Sequence, residues 1–134
     1  MGFLIMEDKA FTITGEGRKL IPGEYPLLVI PSLAEELGLD EAVFLQQLHY
    51  WIRHYEDKFN KHPDHIHEDY MWVYNSYDDW HKQMPWWSVS TIRRIVKKLR
   101  TDGWIITGNF NKWQVDKTLW YRINHIKVQE FIQK

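Results

Sequence analysis

The chain has 134 residues, of which 44% are hydrophobic, 26% charged and 16% aromatic, an ordinary composition for one globular domain. It has no cysteine, so disulfides and cysteine-based zinc sites are excluded, and a cytoplasmic location is expected. No apolar run approaches the about 20 residues that span a bilayer, so no membrane partner is expected.

Residues 1–26 predict a loosely ordered arm ahead of the folded domain. Glycine and proline are frequent there, with one short strand expected near Phe11–Thr14. Residues 27–134 are predicted to form the domain itself. At its start, Ser32 and Glu35 match a capping box, which indicates that a short helix begins there.

A longer helix is predicted from Asp40 to Tyr55. Gly38 suits the end of the short helix before it, and Asp40 suits its N-cap. Its apolar residues recur with helical spacing: Phe44, Leu48, Trp51, Ile52 and Tyr55. Because it begins with acids and has Arg53 as its only Lys/Arg residue, we interpret this helix as core scaffold or a protein interface, not as a DNA-reading helix.

The middle of the chain predicts a polar loop, a strand and a short helix. Residues 57–69 are polar and carry a proline, whereas Tyr70–Tyr74 is aromatic and favours a strand. Ser76 and Asp79 form a capping-box pattern that opens a helix to about Met84. The loop also holds a histidine cluster, but no regular element fixes its geometry, so no metal site is expected from His62, His65 and His67.

The last third predicts a basic helix, a hairpin and a closing helix. The helix runs over Ser88–Asp102, with a buried stripe of Ile92, Ile95, Val96 and Leu99. Strands are predicted over Trp104–Thr107 and Thr118–Ile123, and a short helix from Ile126 to Ile132. Helix, turn, helix, strand, turn and strand predict a mainly α fold with a small β-hairpin (α+β), a winged helix-turn-helix.

Charge is divided unevenly along the chain. Residues 1–70 have six Lys/Arg and 13 Asp/Glu, a net charge of −7, whereas residues 71–134 have 11 and five, a net charge of +6. Basic residues on a solvated helix face are common, but here the excess continues through the hairpin to the end of the chain. This pattern predicts that the second half binds a polyanion, duplex DNA above all.

The predicted DNA-binding residues lie on the basic helix and on the hairpin. Hydroxyl groups at the helix start suit phosphates or base edges, arginines suit guanine, and lysines suit the backbone. The set is Ser90 and Thr91 at the helix start, Arg93, Arg94, Lys97 and Lys98 along the helix, and Lys112 and Lys117 on the hairpin. No enzyme and no cofactor are expected, because the sequence has neither a phosphate-binding loop, a dinucleotide fingerprint nor a nucleophile elbow.

Several motifs carry a family resemblance over about Pro26 to Asn124. They are Leu39-Asp40-Glu41-Ala42, Leu48–Trp51, Trp72–Tyr77, Trp80, Trp87–Arg94, Gly103-Trp104-Ile105, Gly108–Lys112 and Trp120-Tyr121. Together they resemble the N-terminal domain of replication proteins of phages, plasmids and integrated elements of low-GC Gram-positive bacteria, related to DnaD-like replication initiators and replisome organisers. The resemblance implies origin or duplex binding by a winged helix, and homodimerisation through N-terminal elements. The helicase recruitment known in that group belongs to a separate C-terminal part and is not expected of this chain.

Two alternative functions stay open. One is a winged-helix transcription regulator. The other is a protein-interaction winged helix, in which Trp86, Trp87 and Trp113 bind a replisome partner and DNA binding is secondary. Trp86 and Trp87 are expected to fix the angle between the two helices, whereas Trp113, at the hairpin tip, is the better candidate for contact with nucleic acid or protein.

Overall fold

The computed structural model describes residues 19–56 and 63–134, which are mainly helical. The helices are α1 (Pro31–Leu37), α2 (Leu39–Glu56), α3 (Tyr77–Gln83), α4 (Val89–Thr101) and α5 (His125–Ile132), with a 3-10 turn at Pro63–His65. The strands are β1 (Ile66–His67), β2 (Tyr70–Met71), β3 (Val73–Asn75), β4 (Ile105–Gly108) and β5 (Leu119–Ile123).

A three-stranded antiparallel sheet has β5 at its centre, with β3 paired on one side and β4 on the other. Val73 of β3 and Thr107 of β4 are both in register with Tyr121 of β5. A separate pair, β1 with β2, closes through Glu68 and Asp69, whose positive φ angles of 54° and 68° suit a two-residue turn. The predicted α+β class is therefore confirmed.

Two helix starts differ from the sequence prediction. Helix α1 begins at Pro31 and has no side-chain cap, so the predicted capping box of Ser32 and Glu35 is wrong. Proline favours this start because its ring fixes φ and it lacks an N–H that would have no partner in the first turn. Helix α2 begins at Leu39, which puts Asp40 in its first turn instead of at its cap.

The polar loop predicted after α2 is partly structured. Residues 57–62 lie outside the described residues, but the 3-10 turn and strand β1 follow them. The strand predicted over Tyr70–Tyr74 is divided into β2 and β3, which belong to different sheets. Between them, the amide of Trp72 donates to the carbonyl of His65 at 2.8 Å, outside either ladder.

The helices and hairpin of the second half agree with the prediction to within about a residue. Ser76 caps α3 by accepting from the amide of Asp79 (3.1 Å), and Ser88 caps α4 by accepting from the amide of Thr91 (3.1 Å). The residue after the α4 cap, Gly103, has a φ of +84°. Strands β4 and β5 form the predicted antiparallel hairpin.

The core lies between α2, α4 and the three-stranded sheet. Helices α2 and α4 each bury one apolar stripe, as their 3.6-residue spacing requires: Phe44, Leu45, Leu48 and Ile52 on α2, and Ile92, Ile95, Val96 and Leu99 on α4. Trp80 of α3 packs edge-on against Tyr121 at 5.7 Å between ring centroids. Burial raises the pKa of the Tyr121 hydroxyl well above its usual range.

The segment before α1 has no helix or strand in its described part, residues 19–30. Its apolar side chains are exposed, among them Leu20, Ile21, Tyr25, Leu27, Leu28, Val29 and Ile30. The strand predicted near Phe11–Thr14 lies outside the described residues. Of the helices in residues 19–56 and 63–134, none has the length and apolar character that crossing a bilayer requires.

Candidate nucleic-acid interface

Helix α4 presents its basic side chains to solvent because its apolar stripe fixes the opposite side in the core. Ser90 is exposed in the first turn. Thr91 is partly buried, and its hydroxyl accepts a hydrogen bond from Ser88 at 3.0 Å. The two hydroxyl residues predicted at the helix start therefore differ: Ser90 is accessible, whereas Thr91 is part of the cap.

The basic residues of α4 form two lines along the helix. Arg93, Lys97 and Arg100 are spaced i, i+4 and i+7, and so lie along one line. Arg94 and Lys98 are spaced i, i+4 and lie along another. Because a helix turns 100° per residue, the two lines flank the centre of the exposed side and have different neighbours.

The first line is open to solvent. Lys97 and Arg100 are exposed, and neither forms an ion pair with any residue in the described ranges. The guanidinium of Arg93 lies 4.9 Å from the centre of the Tyr77 ring, a cation–π contact that leaves its charge uncompensated. The sequence prediction omitted Arg100, although its spacing from Arg93 and Lys97 gave the signal.

Arg93 and Lys117 line one cleft of about 490 Å³, between the starts of α3 and α4 and the end of the hairpin loop. The rest of its wall is mixed: it includes the acids Asp78 and Asp116, the neutral polar residues Asn75, Ser76 and Thr118, and apolar or aromatic side chains. The fold thus brings together one predicted residue from the helix and one from the hairpin. We call Arg93, Lys97, Arg100 and Lys117 the basic surface.

The second line of α4 faces the acidic start of α2. Arg94 lies 3.5 Å from Asp40 Oδ2 and 3.9 Å from Glu41 Oε2. Lys98 lies 3.2 Å from Glu41 Oε1 and donates a hydrogen bond to the carbonyl of Leu37 at 2.7 Å. Two of the predicted DNA-binding cations are therefore held by the protein's own acceptors, and Lys98 in particular joins α4 to α1 and α2.

The loop of the β4–β5 hairpin is held by hydrogen bonds that converge on Asn111. Its side-chain amide donates to the carbonyls of Asp116 and Thr118, both at 2.8 Å, and its Oδ1 accepts from Trp120 Nε1 at 2.7 Å. A hydrogen bond from the Thr118 amide to Asp116 Oδ1 lowers the pKa of Asp116. The loop is thus held by its own polar groups, and Phe110 near its start also packs against Trp72 and Trp120.

This ordered loop holds apolar side chains out in solvent. Trp113 is 67% exposed and Val115 87% exposed, and the ammonium of Lys112 lies 5.7 Å from the centre of the Trp113 ring. Of the other two tryptophans singled out from the sequence, Trp87 is buried in the core but Trp86 is 58% exposed. The expected packing role therefore holds for Trp87 alone.

The histidines of the predicted loop have packing partners. His65 is buried, stacks on Tyr55 with 4.1 Å between ring centroids, and has Nδ1 2.9 Å from the Trp72 carbonyl. Burial also raises the pKa of Tyr55. His67 stacks on Phe110 at 4.2 Å. His62 lies outside the described residues, and within the described part of the chain no three metal-ligating side chains converge.

No model of a known protein family matches this chain. A comparison with curated proteins gives no significant match. A comparison with solved structures gives none either. The resemblance to DnaD-like replication proteins therefore stays a hypothesis carried by sequence motifs, and the function has to be argued from the geometry of the basic surface.

Proposed function

We propose that this chain is a winged-helix DNA-binding domain that acts in replication initiation of a phage, plasmid or integrated element. The order α2, β3, α3, α4, β4, β5, with β5 between β3 and β4, supports a winged helix-turn-helix. In this proposal α4 enters the major groove and the β4–β5 loop is the wing. The DnaD-like motifs are what favours replication over transcription.

One observation carries DNA binding: the basic surface combines cations of α4 with a cation of the wing, and none of these forms an ion pair within residues 19–56 and 63–134, although Asp78 and Asp116 line the cleft between Arg93 and Lys117. A duplex offers a row of phosphates, and each cation that binds one releases condensed counterions. The major groove is wide enough for one helix, so α4 and the wing can reach the same duplex together. A cationic helix alone would be weaker evidence for DNA binding, because solvated basic faces are common.

The test is fluorescence anisotropy with a short duplex and the matching single strand over a salt series. With about five phosphate contacts, the logarithm of the binding constant is expected to fall with a slope of about −4 to −5 against log salt on duplex. Lys97→Ala is expected to weaken duplex binding roughly fivefold and to make the slope shallower by about 0.9.

Lys134→Ala is the control, because Lys134 is an exposed lysine just beyond the C-cap of α5 that pairs with Glu36 and lies outside the basic surface. Its binding constant and slope are expected to equal those of the wild type. Absence of duplex binding at about 50 mM salt, where non-specific contacts are strong, would refute the proposal.

A second candidate function is protein binding, which the exposed apolar surface near α2 favours. Tyr25 and Leu28 line a groove of about 530 Å³ with Tyr50 and Trp51 of α2. Such a surface suits a replisome protein or a second copy of this chain. Sedimentation across a concentration series tests the second copy: a mass that stays that of one chain at the highest concentration would exclude a homodimer.

A further inference from the structure

The Arg94 guanidinium has an unusual position among the cations of α4, because two carboxylates of α2 lie beside it. Asp40 Oδ2 is 3.5 Å from one terminal nitrogen and Glu41 Oε2 is 3.9 Å from the other. Both distances exceed the about 2.7–2.9 Å of a charge-assisted hydrogen bond. Arg94 is still 57% exposed, so its N–H donors remain accessible although its charge is balanced.

Of the two carboxylates beside Arg94, that of Glu41 is fixed by the fold. Glu41 is 6% exposed at its side chain, and Lys98 holds its other oxygen at 3.2 Å. A Cβ at Gly38 would lie 2.6 Å from that oxygen, so the backbone also encloses it. Asp40 belongs to the first turn of α2, where the helix dipole favours a carboxylate. Glu41 therefore cannot leave Arg94 without disturbing the start of α2, whereas Asp40, 41% exposed at its side chain, is favoured beside Arg94 by the helix dipole and by the ion pair itself.

This arrangement discriminates between the two kinds of acceptor on DNA. A phosphate that binds Arg94 carries a full negative charge and would approach Asp40 to within several ångströms, where like charges repel. A guanine edge offers the O6 and N7 acceptors, which carry only partial charges, to the same guanidinium. The acids therefore disfavour a phosphate at Arg94 much more than a base edge.

We infer that Arg94 reads a guanine edge in the major groove instead of binding a phosphate, and that Asp40, supported by Glu41, sets this preference. The inference rests on the proposed DNA binding, and it gives the cations of α4 two different roles. The basic surface supplies the sequence-independent contacts, and the acid-flanked Arg94 supplies base selection. Asp40 is thus a specificity-determining residue that contributes no attraction to DNA itself.

The first experiment compares Asp40→Asn with Glu36→Gln on a short duplex over a salt series. Each variant removes one negative charge from an ion pair with a 3.5 Å separation, but Glu36 of α1 pairs with Lys134 and not with α4. Asp40→Asn is expected to raise duplex affinity roughly three- to tenfold and to steepen the salt slope by about 0.9, because Arg94 becomes a phosphate ligand. Glu36→Gln is expected to change affinity less than about twofold.

The second experiment replaces guanine by 7-deazaguanine in a G·C-rich duplex, which removes one acceptor and no charge. The wild type is expected to bind the substituted duplex roughly fivefold more weakly. This loss is about half of the binding free energy of a bidentate contact to guanine. Arg94→Ala is expected to bind both duplexes alike. Thermal unfolding checks that each variant is folded.

The outcomes separate this inference from the proposed function. If the wild type binds duplex and Lys97→Ala weakens it, but Asp40→Asn behaves like Glu36→Gln, DNA binding stands and the role of Asp40 is refuted. Equal wild-type affinity for both duplexes refutes guanine reading by Arg94. If neither the wild type nor Asp40→Asn binds duplex at low salt, both proposals fall.

Discussion

The Lys98 ammonium lies 3.2 Å from Glu41 Oε1, and this pair ties the solvent-facing side of α4 to the start of α2. The same nitrogen donates to the Leu37 carbonyl at the end of α1, so one side chain serves two helix ends. Lys98 is half exposed, but its partner carboxylate is buried. The pair therefore matters chiefly because breaking it leaves a charge inside the protein.

Lys98→Met is expected to lower the free energy of unfolding by about 1–3 kcal/mol, because Glu41 and the Leu37 carbonyl lose their donor. Urea unfolding measures the change. Lys97→Met, on the exposed line of the same helix, is the control and is expected to change stability by less than about 0.5 kcal/mol. Equal stability of the two variants would show that the ion pair contributes nothing to the fold.

Two glycines with positive φ differ in what an added Cβ would contact. Gly38 has a φ of +105° and Gly103 a φ of +84°, but only at Gly38 would a Cβ meet a neighbour, Glu41 Oε1 at 2.6 Å. Gly103→Ala is expected to destabilise the protein by about 1 kcal/mol, from backbone strain alone. Gly38→Ala is expected to destabilise it by about 2–4 kcal/mol, because the Gly38 backbone (φ 105°, ψ 152°) strongly disfavours other residues and Glu41 must also shift away from Lys98.

Chemical unfolding of both variants, with and without Glu41→Gln, measures this difference. The excess destabilisation of Gly38→Ala should shrink in the Glu41→Gln background, since the charged pair no longer has to be kept. If Gly38→Ala and Gly103→Ala destabilise equally, the enclosure of Glu41 by the backbone is not a constraint.

Trp113 at the wing tip is expected to contact DNA. An exposed indole next to a lysine, as Trp113 is to Lys112, can stack on a base or wedge into a minor groove, as other architectural side chains do. Trp113→Ala is expected to weaken duplex binding roughly three- to tenfold with an unchanged salt slope, because an apolar contact releases no counterions. The measurement is the salt-series anisotropy described for Lys97.

Trp86→Ala is the matched control, since Trp86 is almost as exposed as Trp113 but lies between α3 and α4, away from the wing. It is expected to leave duplex binding unchanged. A loss of affinity in the Trp86 variant, with none in the Trp113 variant, would move the contact surface away from the wing.

Local signals were enough to predict α4 and the hairpin. Ser88 caps the helix, the stripe from Ile92 to Leu99 has the period of a helix, and Gly103 follows its end. The two wrong cap predictions, at Ser32 and Asp40, also have local causes. Pro31 starts α1 before Ser32 can cap it, and α2 begins at Leu39, one residue before its predicted cap. Helix existence was therefore easier to predict than helix starts.

The candidate site was only partly predictable, because its decisive contacts are non-local. Glu41 and Lys98 are 57 residues apart in the chain, and no short-range pattern pairs them. The sequence predicts the helix with these acids as scaffold or a protein interface, and it predicts Arg94 and Lys98 as DNA-binding residues. When α2 and α4 pack together, the acids of α2 instead form ion pairs with Arg94 and Lys98 of α4.

Because β5 lies between β3 and β4, neither of those strands has the other as a neighbour in the sheet. During synthesis on the ribosome, β3 and β4 both emerge before the strand that pairs them. The sheet cannot close until Leu119–Ile123 has left the exit tunnel, whereas contacts between α2 and α4 need no later segment. We therefore expect the wing to be the last part of the proposed interface to assemble during synthesis, after the helix α4.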